Sequence, residues 1–158
     1  MVDAQWAIKQ SDELIDGVID TNLVGPYLLS NEVARKLIEK KEPGRMVNIS
    51  SLAAFNTTPN SAAVLYSTTK SAIVRMTEAL SVEWAKHHIN VNAIAPGMFS
   101  SEMLDGMLER IGDVSQTLPR KRICTPEQMD STLLFLVSPS SECVTGTCIK
   151  IDDGQTSR

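Results

Sequence analysis

The sequence predicts an α/β fold in which a parallel β-sheet is covered by helices. Three short segments rich in β-branched residues indicate strands, and each follows a segment whose apolar residues recur at helical spacing. Strands that alternate with helices along a chain are usually connected in parallel. We therefore expect the element order α-β-α-β-α-β, with about three parallel strands and flanking helices.

The length and composition fit one soluble globular domain. The chain has 158 residues, of which 42% are hydrophobic and 22% charged, and its formal net charge is −4. This acidic balance argues against nucleic-acid binding, and no apolar run approaches the ~18 residues that span a bilayer. The N-terminus lacks a signal peptide's apolar core, and the three cysteines form no C-x-x-C motif. We therefore expect a cytoplasmic protein with reduced thiols.

The first predicted helix covers residues 11–40 and ends at Glu42-Pro43-Gly44. Asn22 lies on its apolar stripe, and Pro26, four residues on, has no N–H to bond the Asn22 carbonyl. Because buried amides need hydrogen-bond partners, we expect this carbonyl to accept from a water or an ammonium. The alternative is an Asn-Pro kink that serves packing alone.

Two strands and a second long helix occupy the middle of the chain. The first predicted strand runs from Arg45 to Ser51, and a polar loop follows at residues 56–60. The second predicted helix covers residues 62–87. Two adjacent histidines end this helix, where they point in different directions, so no metal site is predicted. The second strand, Ile89 to Ala95, ends at Pro96-Gly97.

The last part of the chain completes the alternation. Residues 98–123 are rich in Met, Ser and Glu, which predicts short helices joined by loops. Their flexible Met side chains suit a segment that covers an apolar substrate pocket, and plain core or interface packing is the alternative. Thr125 to Gln128 has the pattern of a capping box and starts a helix that runs to about Val137. The last strand covers Thr147 to Asp152, before Asp153-Gly154.

The candidate functional residues gather at one edge of the predicted sheet. Ser50 and Ser51 end the first strand, and Pro96-Gly97 follows the second. Open α/β sheets bind their ligands at the carboxyl ends of the strands. Tyr66 and Lys70 are four residues apart on the second helix, so their side chains share one helix face. This spacing alone is also common in ordinary surface Tyr–Lys pairs. A functional interpretation is favoured because the two strand ends lie at the same edge of the sheet.

These segments together resemble the short-chain dehydrogenase/reductase family. The matching motifs are TNLVGPYLLS with Asn22, MVNISS with Ser51, YSTTK with Tyr66 and Lys70, and VNAIAPGMFSSEM with Pro96-Gly97. The ending VTGTCIKIDDG is similar to the family's last strand, but Asp153 stands where the family usually has the first glycine of V-D-G-G. The resemblance implies a doubly wound, Rossmann-like sheet. It also implies hydride transfer between a nicotinamide cofactor, NAD or NADP, and a carbonyl or alcohol substrate.

The resemblance implies a catalytic role for four residues. Tyr66 would be the general acid/base, and Ser51 would hold the substrate oxygen, with Ser50 as the competing candidate. Lys70 would hold the nicotinamide ribose, and the Asn22 carbonyl would anchor a water beside it. A nearby ammonium favours a phenolate, so we also expect Lys70 to lower the pKa of Tyr66.

The resemblance further implies cofactor contacts and partners. Pro96 and Gly97 would shape the wall against the nicotinamide, beside Tyr66 and Lys70. The backbone of Phe99 and the hydroxyl of Ser101 would meet the carboxamide. The family also implies a homodimer or homotetramer that associates through the two long helices. No nucleic-acid or membrane partner is expected.

The phosphate-binding loop of a dinucleotide fold is missing from this sequence. No two of its eight glycines are separated by one residue, so G-x-G-x-x-G cannot occur. A doubly wound fold has two halves, and the first carries this loop. We therefore expect residues 1–158 to be one domain, the catalytic half of a larger oxidoreductase, with the edge at MVNIS exposed. The alternative is a degenerate family member that binds no cofactor and acts as an oligomerisation module.

Overall fold

The computed structural model describes residues 5–57 and 62–156. Within these residues it has one sheet of three parallel strands, β1 (Gly44–Ile49), β2 (Ile89–Pro96) and β3 (Cys148–Ile151), in the order β1-β2-β3. Helices precede each strand along the chain. The predicted α/β class, the parallel pairing and the number of strands are therefore confirmed.

The edges of the sheet follow from the strand register. β1 pairs with β2 along its whole length, whereas β3 pairs only with the last four residues of β2. Gly44 and Ser50 donate their backbone N–H groups to the carbonyls of His88 and Ile94. Because N–H direction alternates along a strand, Arg45, Val47 and Ile49 present theirs to the outer edge. No described strand pairs with that edge.

The first predicted helix is a continuous helical run with one wide turn. It consists of α1 (Asp12–Ile19), a π-helical turn (Asp20–Val24) and α2 (Gly25–Lys40). The backbone N–H of Gly25 donates to the carbonyl of Asp20, five residues back. Pro26, which has no N–H, follows at once. One residue is thus inserted before the proline. The backbone hydrogen bonds around Asn22 therefore differ from those of a regular α-helix.

Helix α3 (Val64–Glu83) lies with α2 against one face of the sheet. It is shorter than the predicted helix, because a 3-10 turn (Ala85–His87) and a left-handed residue at His88 end it before β2. The core between these elements is apolar and contains Ala34, Ile73, Met76, Leu80, Trp84, Ile89 and Val91. Residues 58–60 of the predicted polar loop lie outside the described residues.

On the opposite face of the sheet, two asparagines of β2 hydrogen-bond the segment that precedes β3. Asn90 and Asn92 alternate with the core residues of β2, and they therefore point away from α3. Asn90 Nδ2 donates to the carbonyls of Glu142 and Val144, at 2.7 and 3.1 Å, and Asn92 Nδ2 donates to Val144 at 2.8 Å. These hydrogen bonds attach the segment before β3 to the centre of the sheet.

Two further helices follow β2. Helix α4 (Glu102–Ile111) lies within the predicted segment of short helices, and α5 (Asp130–Val137) contacts β1. The predicted capping box before α5 is present, since the Thr125 N–H donates to Gln128 Oε1 at 2.9 Å. The first turn, Pro126–Met129, is a 3-10 helix.

Groups of neighbouring apolar side chains remain exposed on α2 and α5. On α2 they are Tyr27, Leu28, Leu29 and Val33, and on α5 they are Leu133, Leu134, Phe135 and Val137. Leu29 keeps 67% of its surface exposed and Leu134 66%. Contiguous exposed apolar residues mark contact surfaces. None of the helices in the described ranges is long and apolar enough to cross a membrane.

Candidate active site

The candidate site lies where β1 ends and α3 begins. Tyr66 and Lys70 occupy the first two turns of α3, and Lys70 Nζ lies 5.7 Å from the centroid of the Tyr66 ring. Lys70 Nζ also donates to the carbonyl of Ile49, the last residue of β1, at 3.0 Å. The lysine therefore links the first turns of α3 to the carboxyl end of β1.

The two serines after β1 have different partners. The Ser51 hydroxyl lies beside the Tyr66 side chain, close enough to act on the pKa of the phenol. Ser51 Oγ also accepts from the N–H of Ala53 at 3.2 Å and so caps a 3-10 turn (Leu52–Ala54). Ser50 is buried, and its Oγ donates to the Lys70 carbonyl at 2.8 Å. Ser51 thus meets the phenol, while Ser50 is occupied in holding the backbone of α3.

Burial controls the ionisation of the Tyr66–Lys70 pair. It raises the pKa of Tyr66, and the neighbouring Ser51 hydroxyl opposes this effect. Burial also lowers the pKa of Lys70. The expectation that Lys70 lowers the pKa of Tyr66 is therefore wrong for this structure. The Lys70 ammonium is directed to the Ile49 carbonyl, and loss of hydration disfavours both charged forms.

Asn22 lies in the wide turn and is 5% exposed. Its Nδ2 donates to Thr69 Oγ1 at 3.3 Å, and Thr69 Oγ1 in turn donates to the Tyr66 carbonyl at 2.8 Å. A buried hydroxyl therefore connects the wide turn with the helix that carries Tyr66 and Lys70. The sequence analysis did not identify Thr69. The signal that could have found it is a hydroxyl residue next to Lys70 that lies beside core positions of α3.

The Pro96-Gly97 turn is closely packed against the C-terminal turn of the chain. Gly97 N–H donates to the Ile151 carbonyl at 2.9 Å, and Met98 N–H donates to Gln155 Oε1 at 3.0 Å. A Cβ on Gly97 would lie 2.6 Å from Gln155 Oε1 and 3.1 Å from the Cα of Asp152. The glycine is therefore needed for this close approach, whatever ligand lies beside it.

The segment after Gly97 pairs with Cys124. The Cys124 N–H donates to the Met98 carbonyl at 3.1 Å, and the Ser100 N–H donates to the Cys124 carbonyl at 2.8 Å. Neither bond uses the peptide groups of Phe99, which point to the other side of the segment. Ser101 Oγ accepts from the Leu104 N–H at 3.2 Å and so caps α4, a role that the sequence analysis missed.

The chain matches known oxidoreductases over nearly its whole length. A family model described as Enoyl-(Acyl carrier protein) reductase matches residues 2–156. The 2-dehydro-3-deoxy-D-gluconate 5-dehydrogenase of Dickeya dadantii is 33% identical over 158 residues, which cover 96% of this chain and 60% of that protein. The chain therefore spans only part of the length of this curated relative.

Two solved structures share the fold. A short-chain type dehydrogenase/reductase from Mycobacterium marinum superposes with a TM-score of 0.94 at 28% identity, covering 100% of this chain and 62% of that one. A 4-hydroxyisoleucine dehydrogenase complexed with NADH has a TM-score of 0.83 at 31% identity, covering 99% and 65%. The similarity therefore includes all three strands and their helices.

Proposed function

The chain belongs to the short-chain dehydrogenase/reductase family, and we propose that it is the catalytic half of an oxidoreductase that transfers a hydride between a nicotinamide cofactor and a carbonyl or alcohol substrate. The observation that carries this proposal is the placement of Lys70 Nζ 5.7 Å from the centroid of the Tyr66 ring and 3.0 Å from the Ile49 carbonyl, with Ser51 beside the phenol. Residues 1–158 then form one domain, in which residues 98–123 cover the substrate side.

Tyr66 and Ser51 are the groups that handle the substrate oxygen. In the reducing direction the Tyr66 phenol donates its proton to this oxygen, and in the oxidising direction it removes that proton. Ser51 Oγ hydrogen-bonds the same oxygen and holds it within reach of Tyr66. The existing contact between the two side chains supports this pairing, because an oxygen that meets one hydroxyl lies near the other.

The chemistry of the remaining donors fits the nicotinamide half of NAD or NADP. An ammonium has three donors, and with one of them on the Ile49 carbonyl Lys70 keeps others for the ribose hydroxyls. The Phe99 peptide groups, which the Cys124 pairing does not use, offer the donor and acceptor that a carboxamide requires. Pro96 and Gly97 form the wall beside them, and Ser101 retains its hydroxyl proton while capping α4. The cofactor supplies or accepts the hydride when bound.

We further propose that Asn22 holds a water beside Lys70 and so opens a path for protons from solvent to Tyr66. The support is positional, since the Asn22 side chain is tied through Thr69 to the backbone of Tyr66. The wide turn before Pro26 places the Asn22 peptide next to the catalytic helix. In this role Asn22 positions a water and does not touch the reacting atoms.

The experiment that tests the catalytic assignment is Tyr66→Phe, with Tyr27→Phe as the matched control on the exposed face of α2. Reduced nicotinamide is mixed with a panel of carbonyl compounds, and its oxidation is followed by absorbance. Loss of the proton donor should lower turnover by about 10²- to 10⁴-fold, whereas Tyr27→Phe should leave it unchanged. Turnover retained in Tyr66→Phe would refute the assignment.

A second candidate function is an oligomerisation module without cofactor binding. The exposed apolar residues of α2 favour association of copies through the long helices, and the sequence contains no glycine-rich phosphate loop. We propose such a homo-oligomer, located in the cytoplasm, under either function. Titration of the purified chain with reduced nicotinamide cofactor tests the two candidate functions. No binding at millimolar concentration would show that this chain alone is not a working dehydrogenase, and binding would favour the oxidoreductase.

A further inference from the structure

Asp153 occupies an unusual backbone conformation and has unusual partners. Its φ is +51°, in the left-handed region where glycine is preferred and where Asp is one of the few tolerated alternatives. Its Oδ2 accepts from Arg122 Nε at 2.7 Å, while its Oδ1 accepts from Arg122 Nη2 at 3.0 Å and from Arg120 Nη1 at 2.7 Å. We call these three residues the Asp153 clamp. The Asp153 side chain is 9% exposed.

The clamp connects two parts of the chain that are about thirty residues apart. Asp153 lies in the turn after β3, whereas Arg120 and Arg122 lie in the loop between α4 and α5. Two residues after Arg122 is Cys124, whose N–H and carbonyl hold Met98 and Ser100. Asp153 restrains the two arginines, and Cys124 passes this restraint to the segment that includes Phe99.

The turn that carries Asp153 is itself well anchored. The buried Asp152 carboxylate accepts from the N–H groups of Gly154 and Thr156, at 3.1 and 3.3 Å, and from Thr156 Oγ1 at 2.7 Å. Gln155 Oε1 accepts from the Met98 N–H at 3.0 Å. The turn thus holds Met98 directly through Gln155 and indirectly through the clamp and Cys124.

We propose that Asp153 is a positioning residue that, through Arg120 and Arg122, fixes the backbone of Met98–Ser100. The part of this inference that assigns Met98–Ser100 to the nicotinamide wall rests on the proposed function. The mechanical link between Asp153 and Met98–Ser100 does not depend on it. No substrate contact is assigned to Asp153.

The geometry separates the clamp from ordinary surface ion pairs, which contribute little to stability. Arg122 approaches both carboxylate oxygens with two N–H groups, the arrangement in which charge-assisted bonds are strongest and most directional. The Glu32–Arg35 pair on α2 shows the contrast, because its carboxylate is 47% exposed and both partners belong to a single helix, whereas the Asp153 carboxylate is 9% exposed although its two arginines remain exposed. The unfavourable φ of Asp153 also implies that the surrounding contacts hold the residue in place.

Hydrogen exchange of the full chain tests the link. Asp153→Asn keeps a residue that tolerates left-handed φ but removes the charge, and Asp153→Gly relaxes the backbone and removes the side chain. Both variants should make the amides of Ser100 and Cys124 exchange about five- to tenfold faster. In the wild type, local opening of this segment must also break the charge-assisted bonds of the clamp, whereas in the variants these bonds are missing. Core amides of α3 should be unchanged. Both variants should also be cut faster by trypsin at Arg120 and Lys121.

Two arginine variants and one control sharpen the result. Arg122→Gln should behave like Asp153→Asn, whereas Arg122→Lys keeps the charge without the two-point contact and should restore only part of the protection. Glu32→Gln, which removes the exposed pair on α2, should leave the exchange of Ser100 and Cys124 at the wild-type rate. Wild-type exchange of these two amides in both Asp153 variants would overturn the link.

Cofactor binding then tests positioning separately. Asp153→Asn should raise the KM or Kd for the reduced nicotinamide several-fold and leave kcat nearly unchanged, because the wall moves while Tyr66 and Ser51 do not. Faster exchange with unchanged cofactor affinity would overturn the positioning role. If the wild-type chain binds no cofactor, the proposed function and the assignment of the wall fail together, and the exchange result alone decides the link.

Discussion

Lys70 and Tyr66 illustrate how burial acts on a pair of ionisable residues four positions apart. Their spacing brings the ammonium and the ring together, with 5.7 Å between Nζ and the ring centroid. Burial nevertheless favours the neutral form of each side chain, so the pKa of Tyr66 is raised and that of Lys70 is lowered. In the proposed mechanism, activation of the phenol therefore requires a contact beyond the Tyr66–Lys70 pair itself.

The raised pKa of Tyr66 predicts a loss of stability at alkaline pH. An unfolded Tyr ionises near pH 10, whereas the folded protein holds the Tyr66 proton to higher pH. The stability that this shift contributes is present below about pH 10 and is lost as the pH rises through the folded-state pKa. Urea unfolding of the wild type and of Tyr66→Phe at pH 9 and pH 11 measures it. The wild type should lose more stability than the variant, and parallel losses would contradict the shift.

Gly97→Ala tests the close approach of the Pro96-Gly97 turn to the C-terminal turn. The added methyl group meets Gln155 and the backbone of Asp152, and the latter cannot rotate away. We expect destabilisation of about 1–3 kcal/mol, measured by urea unfolding. Gly106→Ala is the control, because a Cβ at this position of α4 meets nothing within 4 Å. That variant should gain about 0.5–1 kcal/mol, and equal effects at both sites would refute the packing argument.

At the scale of elements, the helical run from Asp12 to Lys40 is interrupted by the π-helical turn Asp20–Val24. The missing N–H of Pro26 was visible in the sequence, and it predicted a disturbed turn at Asn22. The structure has a π-helical turn here, and this turn packs against α3. The hydroxyl of Thr69 is the contact that joins the two helices there.

Thr69→Val should weaken the contact between the wide turn and α3. The substitution keeps the shape of the side chain but leaves the buried Asn22 amide without the Thr69 oxygen. We expect a loss of about 1–3 kcal/mol in the free energy of unfolding. Thr69→Ser retains the hydroxyl and should cost less than half as much. Similar losses in Val and Ser variants, measured by urea unfolding, would show that the methyl group matters and the hydrogen bond does not.

The whole molecule has an asymmetric sheet. β3 pairs with only half of β2, whereas β1 presents its full length to an outer edge that no described strand covers. The edge at MVNIS is thus exposed, as expected from the sequence. Open edges of this kind are templates for pairing with other chains. The Ile49 carbonyl at this edge is held by Lys70, which protects its last position.

Proline substitutions distinguish the two sides of β1. The Val47 N–H points to the outer edge, so Val47→Pro should preserve the sheet and reduce concentration-dependent association in sedimentation experiments. The Met46 N–H points to β2, and Met46→Pro should unfold the chain because it removes a hydrogen bond between the strands. Undiminished association of a folded Val47→Pro variant would show that copies associate elsewhere, for instance through α2.

The sequence by itself determined the α/β class, the parallel order, the disturbed hydrogen bonding between Asn22 and Pro26, and the family, because these depend on periodicity, on proline chemistry and on local motifs. The positions of Ser51, Tyr66 and Lys70 at one sheet edge also followed from their places after strands and on one helix face. Only the tertiary structure decided that Ser51 rather than Ser50 meets Tyr66, and that Thr69 and the Asp153 clamp hold the surrounding segments. It also reversed the expected pKa shift of Tyr66. These features depend on burial and on contacts between residues distant in the chain, neither of which local spacing encodes.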